Sequence, residues 1–191
     1  VKHDAPGALT PFRMPHHGEP GWPSLRLQNR FANSVSNCVE NFIDVPHTAF
    51  VHQRIFRATR GERLHATVTR AEGAVHVAYR NEHGNLGTYR WFLNPRAHEI
   101  RHTDSFHAPN VTCVVYEIGA KTFVITSQAV PVDEGETLVY TDLTYRFGAW
   151  NAVAAPFVRR HGQRIIDQDI EILARQGENI AHYGAEFRDT P

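Results

Sequence analysis

Apolar and polar positions follow two different periods along the chain. From about Gly61 to Phe147 they fall in short runs rich in β-branched and aromatic residues: 64–70 (LHATVTR), 74–80 (AVHVAYR), 88–94 (TYRWFLN), 98–106 (HEIRHTDSF), 111–118 (VTCVVYEI), 121–130 (KTFVITSQAV) and 136–147 (ETLVYTDLTYRF). Such runs predict strands. Ala71-Glu72-Gly73 has the length of a hairpin connection, and Asn81–Gly87 and Asp133-Glu134-Gly135 are further turns. Strands joined this closely pair antiparallel, because parallel pairs need long crossovers. After Gly148 the period becomes helical. It predicts a short helix over Trp150–Arg160 and a longer one over Arg164–Ile180. Residues 1–30 are rich in Pro and Gly and read as an irregular lead-in over the domain surface. Neither an internal repeat nor a low-complexity segment interrupts this order.

Two places break the expected separation of apolar from charged. The first is Asn37–Phe56, where Asp44, His47 and His52 stand among Val39, Phe42, Ile43, Val45, Phe50, Val51 and Ile55. Charged and imidazole groups in so apolar a setting need a hydrogen bond, an ion pair or a metal. Residues five apart on a straight α-helix point about 140° apart, so His47 and His52 would not share a face. Pro46 disfavours helical angles at Val45 and fits a first turn. The pattern predicts a short helix starting near Asp44 or Val45, then a distortion or exit before His52. Two readings follow: the start of a metal site, or two hydrogen-bonded, half-buried histidines in a chain with thirteen.

The second place is Asp169. At 100° per residue, Ile165, Ile166, Ile172, Leu173 and Ile180 fall within an arc of about 120°, and Asp169 lies near its centre. Asp167, Glu171 and Glu178 point elsewhere. A buried carboxylate there needs a cation, either a metal or one of the chain's many arginines.

Composition narrows the function. The 191 residues suffice for one domain with a sizeable core, and 41% apolar with 21% charged residues is the balance of a globular protein. Twenty basic and twenty acidic residues cancel, so no basic footprint for nucleic acid is expected. Neither a membrane-spanning run nor a signal peptide is visible, and a cytoplasmic location is the expectation. The chain starts at Val and stops abruptly, as an excised piece would. Cys38 and Cys113 are the only cysteines, and neither forms a metal-spaced pair. His16-His17 reads as an exposed loop pair. Histidines 65, 76, 83, 98, 102 and 107 read as structural or surface residues. Trp91, Phe92, Tyr116, Phe123, Tyr140 and Tyr145 are candidates for a cavity wall or for plain sheet core.

Glu40-Asn41-Phe42-Ile43-Asp44-Val45-Pro46-His47 followed by Phe50-Val51-His52 resembles the iron-binding segment of Rieske-type non-haem iron oxygenases. The narrower likeness is to the catalytic (C-terminal) domain of the vanillate demethylase and ketosteroid hydroxylase type. Gln168-Asp169, with Gln176 beyond it, is similar to that family's second motif. Ala174 stands where the family usually has Glu, and Pro46 where it often has Ser. The resemblance implies an α+β fold: an antiparallel sheet flanked by helices in a helix-grip-like arrangement. It implies Fe(II) held by His47, His52 and Asp169, the 2-His-1-carboxylate set of non-haem oxygenases. Asp44 would bridge a ligand histidine to the Rieske cluster of a neighbouring subunit in a homotrimer, with helix capping as its other possible role. Asn41 would approach the iron. An aromatic or other apolar ring substrate would be hydroxylated or demethylated with O₂.

A [2Fe–2S] Rieske centre needs paired Cys and His ligands, which this sequence lacks. That cluster is therefore expected on a domain or subunit outside the chain, fed by a ferredoxin or reductase that draws on NAD(P)H. Two other classes remain open. One is a non-catalytic module that binds a hydrophobic ligand. The other is a hydrolase using the same ligands to activate water.

Overall fold

The computed structural model describes residues 11–52, 65–71, 73–80 and 94–184. Seven strands form one sheet: β1 (Ser24–Phe31), β2 (His65–Ala71), β3 (Ala74–Arg80), β4 (Ile100–His107), β5 (Val111–Ile118), β6 (Lys121–Pro131) and β7 (Thr137–Arg146). Their order is β1-β7-β6-β5-β4-β3-β2, and every pairing is antiparallel. Strands β2 to β7 thus form a meander, and β1 pairs with its last strand. They match the predicted runs to within two residues at each end. The run 88–94 falls outside the described residues except for Asn94, and the turn 81–87, His83, Trp91 and Phe92 lie wholly outside them.

β1 corrects the reading of residues 24–30 as irregular. The Pro-rich run ends at Pro23, and from there Leu25, Leu27 and Phe31 turn inward while Arg26, Gln28 and Arg30 stay exposed. Arginines on the outer face hid the alternation. Arg26 is not wasted there: it makes a two-point hydrogen bond to Asp142, opposite it on β7.

The helices are α1 (Val35–Ile43), α2 (Thr48–Val51) and α3 (Asn151–Tyr183), with 3-10 turns at Val45–His47 and Gly148–Trp150. Helix α1 begins where Ser34 accepts a hydrogen bond from the Asn37 backbone N–H, as an N-cap does. Helix α3 corrects the expected pair of helices, because it runs unbroken for 33 residues. In the expected gap between Arg160 and Arg164, Gly162 makes a close approach to the sheet. A Cβ there would lie 2.6 Å from Leu143 Cδ1, so glycine serves packing and the helix continues.

Both long helices lie on one face of the sheet. Leu27, Val139, Leu143 and Tyr145 share a core with Cys38 and Val39 of α1 and Val158, Ile166 and Leu173 of α3. These strand residues are two apart on their strands, so they share a face. The C-terminal half of α3 is tied to the end of β1 by Asn33. Its amide donates to the Leu173 carbonyl, and its own carbonyl accepts from Thr137 Oγ1. Among the described residues no helix is long and apolar enough to cross a membrane.

Candidate metal centre and adjoining cavity

Three backbone changes in nine residues bring the two histidines together. Helix α1 ends at Asp44, whose φ of −80° and ψ of 87° are non-helical. Pro46 sits in the 3-10 turn that carries His47, and one turn of α-helix follows. His52 then leaves helical geometry at φ −99° and ψ 38°. The bend removes the angular separation a straight helix would impose. His47 Nε2 lies 3.2 Å from His52 Nε2.

Asp169 reaches the same point from α3. Its Oδ1 is 3.5 Å from His47 Nε2 and 3.2 Å from His52 Nε2. These distances suit a metal. Donors about 2.1 Å from a first-row ion lie about 3.0 Å apart at right angles and about 3.4 Å apart at tetrahedral angles. Ile166, Asp169 and Leu173 form the buried stripe of α3, while Asp167, Glu171 and Glu178 are exposed. Ile172, expected in the stripe, is exposed at its edge.

Hydrogen bonds on the far side of each ring fix what the near side offers. His47 Nδ1 contacts the Asp44 backbone carbonyl, and His52 Nδ1 is 2.9 Å from Gln168 Oε1. Both partners are acceptors, so each Nδ1 carries a proton. In the neutral rings both Nε2 atoms then present lone pairs toward Asp169 Oδ1. That oxygen is buried and makes no hydrogen bond of acceptable geometry, although two nitrogens are near it. Three electron-rich atoms converging in a buried place call for a cation. The donor set of two imidazoles and a carboxylate, the only such cluster among the described residues, fits a metal with open positions.

Protonation shows the same demand. Burial raises the Asp169 pKa, but the nearness of the His47 and His52 rings, with that of Asn41, outweighs it and holds the carboxyl at about 2. Burial lowers the His47 pKa, yet the neighbouring Asp169 carboxylate, with the backbone and charge of Asp44, gives a net rise.

The other predicted site residues take distinct places. Asn41 sits beside Asp169, and its Nδ2 is buried with no hydrogen-bond partner. Asp44 is exposed. Its carbonyl, not its carboxylate, holds His47, and its side chain caps no helix. The carboxylate lines an open groove between α1 and the end of α3, with Glu40, Arg175 and Gln176. Sequence reasoning quoted Gln168 as part of a motif but gave it no task. Its signal was its place one residue before Asp169, yet its contact with His52 depends on the fold.

A cavity opens beside the triad. Tyr116 and Phe123 line it, as do Phe42, Phe147 and Phe157, which the sequence did not single out. Tyr145 is core, at 1% exposure. Tyr140 lies on the opposite face under Arg26. His16 bonds Glu19 and stacks on Trp22. His98 is exposed whereas His102 is buried, with Nε2 2.8 Å from Asp104 Oδ1.

Comparison with known proteins bears on the fold and the family. No curated protein matches the chain. Among solved structures, dicamba monooxygenase bound to dicamba superposes with a TM-score of 0.77 at 12% identity, over 98% of this chain and 58% of that one. NdmB of Pseudomonas putida CBB5 gives 0.67 at 15% identity, over 87% and 45%. The quaternary ammonium Rieske monooxygenase CntA gives 0.60 at 11%, over 86% and 41%. The chain spans about half the length of these structures, and they share its fold. The family model described as vanillate O-demethylase oxygenase C-terminal domain matches residues 32–191, which takes in α1, the converging triad and the sheet between, and the chain belongs to that family.

Proposed function

We propose that this domain is the substrate-oxidising part of a Rieske-dependent monooxygenase, with a mononuclear Fe(II) held by His47 Nε2, His52 Nε2 and Asp169. The observation that carries the reading is the meeting of these three donors, with Asp169 Oδ1 buried and unsatisfied, at the wall of an aromatic-lined cavity. Bound there, Fe(II) supplies O₂ activation, using electrons from a Rieske [2Fe–2S] cluster that a separate domain or subunit carries. A ferredoxin or reductase drawing on NAD(P)H would supply that cluster's electrons. One oxygen atom enters a C–H bond of the substrate and the other leaves as water, with two electrons and two protons taken up. Insertion at an O-methyl group gives a hemiacetal that breaks down to formaldehyde and the free hydroxyl, which is demethylation, and insertion at a ring or side-chain carbon gives hydroxylation.

The chain's own residues prepare this. Asp44 and Gln168 keep the Nδ1 protons in place, so both rings present Nε2. Asn41 sits beside Asp169 with its buried Nδ2 left to donate to whatever occupies the site. The aromatic walls exclude water and hold an apolar or aromatic ring. The exposed Asp44 carboxylate, in its groove beside α1 and α3, suits contact with a neighbouring subunit's Rieske domain in a homotrimer. An electron would then pass to His47 through the Asp44 backbone, whose carbonyl already bonds that ring.

Nitric oxide tests the open positions. The Fe(II)-loaded domain is expected to give the paramagnetic resonance signal of a high-spin ferrous nitrosyl, changed in shape when an aromatic compound fills the cavity. A loaded protein that gives no such signal would contradict the reading. The cavity alone would also serve a non-catalytic module for hydrophobic ligands, but such a module has no use for the triad.

A further inference from the structure

The cavity floor is ordered in rows across the sheet. Thr112 of β5 stands opposite Ser127 of β6, and Ser127 opposite Thr141 of β7. The next row, two residues along each strand, is Val114, Ile125 and Leu143, and beyond it come Tyr116 and Phe123. The floor therefore passes from hydroxyls through aliphatic groups to aromatic rings.

Helix α3 gives this order a direction. Its Gly162 packs on Leu143, and its Leu173 is tied through Asn33 to Thr137. Asp169 lies between Gly162 and Leu173 on the helix, as Thr141 lies between Leu143 and Thr137 on the strand. The hydroxyl row is thus at the metal end. Phe157, on the other side of Gly162, closes the aromatic end with Phe123 and Phe147.

The three residues Thr112, Ser127 and Thr141 are 2%, 6% and 5% exposed. Ser127 Oγ and Thr141 Oγ1 are 3.3 Å apart and share one proton, and no other side-chain hydrogen bond is made by the row among the described residues. Burying hydroxyls with spare capacity is unfavourable unless something else completes their hydrogen bonds. Apolar residues fill the corresponding positions one row away, so the sheet does not require polarity here.

We propose that Thr112, Ser127 and Thr141 are a specificity-determining anchor for a neutral oxygen substituent, a hydroxyl or carbonyl, on an otherwise aromatic substrate. The anchor would set that substituent next to the metal and lay the ring system toward Phe157. Calling the ligand a substrate rests on the oxygenase reading. The binding claim does not. Among the described residues the cavity is lined by no Arg or Lys. Burial and the neighbouring charges of Arg164 and Arg160 keep the His161 pKa low. A carboxylate in place of the neutral group would meet no fixed positive side chain there.

The test compares 2-naphthol, 2-methylnaphthalene and 2-naphthoate, bound to the chain before iron loading and followed by ligand fluorescence. One hydrogen bond gained is expected to favour 2-naphthol about tenfold over 2-methylnaphthalene, with 2-naphthoate weakest. Thr141→Val and Ser127→Ala, singly and together, should reduce that preference to within about twofold while leaving 2-methylnaphthalene binding unchanged, which also reports an intact fold. Equal binding of the first two probes overturns the proposal. So does a preference that survives the substitutions, tighter binding of 2-naphthoate, or no binding of any probe. Iron content is measured on the same preparations after loading. A chain that holds iron without the 2-naphthol preference fails only here, and one with the preference but no iron fails only the oxygenase reading.

Discussion

The chemistry of the site turns on which ring nitrogen of two histidines is bare. Gln168 Oε1 decides this for His52. Gln168→Leu is expected to weaken Fe(II) binding about 10- to 100-fold, the usual cost of losing such a partner. Gln168→Glu, which still accepts, should recover most of it; metal titration of the two variants decides. Titration of the metal-free site has a definite sign. The His47 pKa is raised above 6.5, so its contribution to stability is present below pH 6.5 and lost as pH rises through the folded value. The Asp169 pKa is lowered from 3.8 to about 2, so its contribution, about 2 kcal/mol, is present above pH 4 and lost as pH falls through 2. Metal binding needs His47 neutral. The rise in melting temperature on adding Fe(II) anaerobically should therefore be larger at pH 8 than at pH 6, and the reverse order would contradict the ligand assignment to His47. His47, His52 and Asp169 were each legible in the sequence, because a polar residue in an apolar stretch is conspicuous. Gln168 and the Asp44 carbonyl were not, because their roles depend on a backbone bend and on an approach between residues more than a hundred apart.

At the level of elements, strands β2 to β7 were readable from their alternation and short connections. β1 was obscured by the prolines before it and the arginines within it. Helix α1 was missed because its nine residues were weighed for chemistry, not for the cap at Ser34. Helix α3 reads as two helices from its pattern, Trp150–Arg160 and Arg164–Ile180; Gly162 in the gap is a poor helix former, but its contact with Leu143 explains its presence in a continuous helix. Gly177 has the same logic. A Cβ there would lie 2.6 Å from the Ala32 backbone oxygen, which cannot swing aside. Gly177→Ala should destabilise the fold by about 1–3 kcal/mol, visible as a lower denaturation midpoint. Ser34→Ala should cost about 1 kcal/mol through the lost cap. Only the first variant should also disturb Asn33 and the anchorage of α3.

Across the molecule, one sheet face carries both long helices, and the triad joins them. Histidines at the exit of α1 and a carboxylate from α3 become one site only when both helices are seated. Cys38 reports that seating. It is fully buried on the core-facing side of α1, and burial, against a hydrogen bond with Thr137, raises its pKa to about 11. Its alkylation at pH 8 should be far slower than that of a free thiol until the chain unfolds. Metal bound across the two helices favours the seated state by mass action, by about 2.7 kcal/mol at a hundred times Kd. The most direct test of the account is iron content after anaerobic Fe(II) loading, for this chain and for Asp169→Ala, with folding followed by circular dichroism. The account predicts about one iron per chain, lost or sharply weakened in the variant while the fold is kept. A folded parent chain that retains no iron, or a variant that retains as much as the parent, would contradict it.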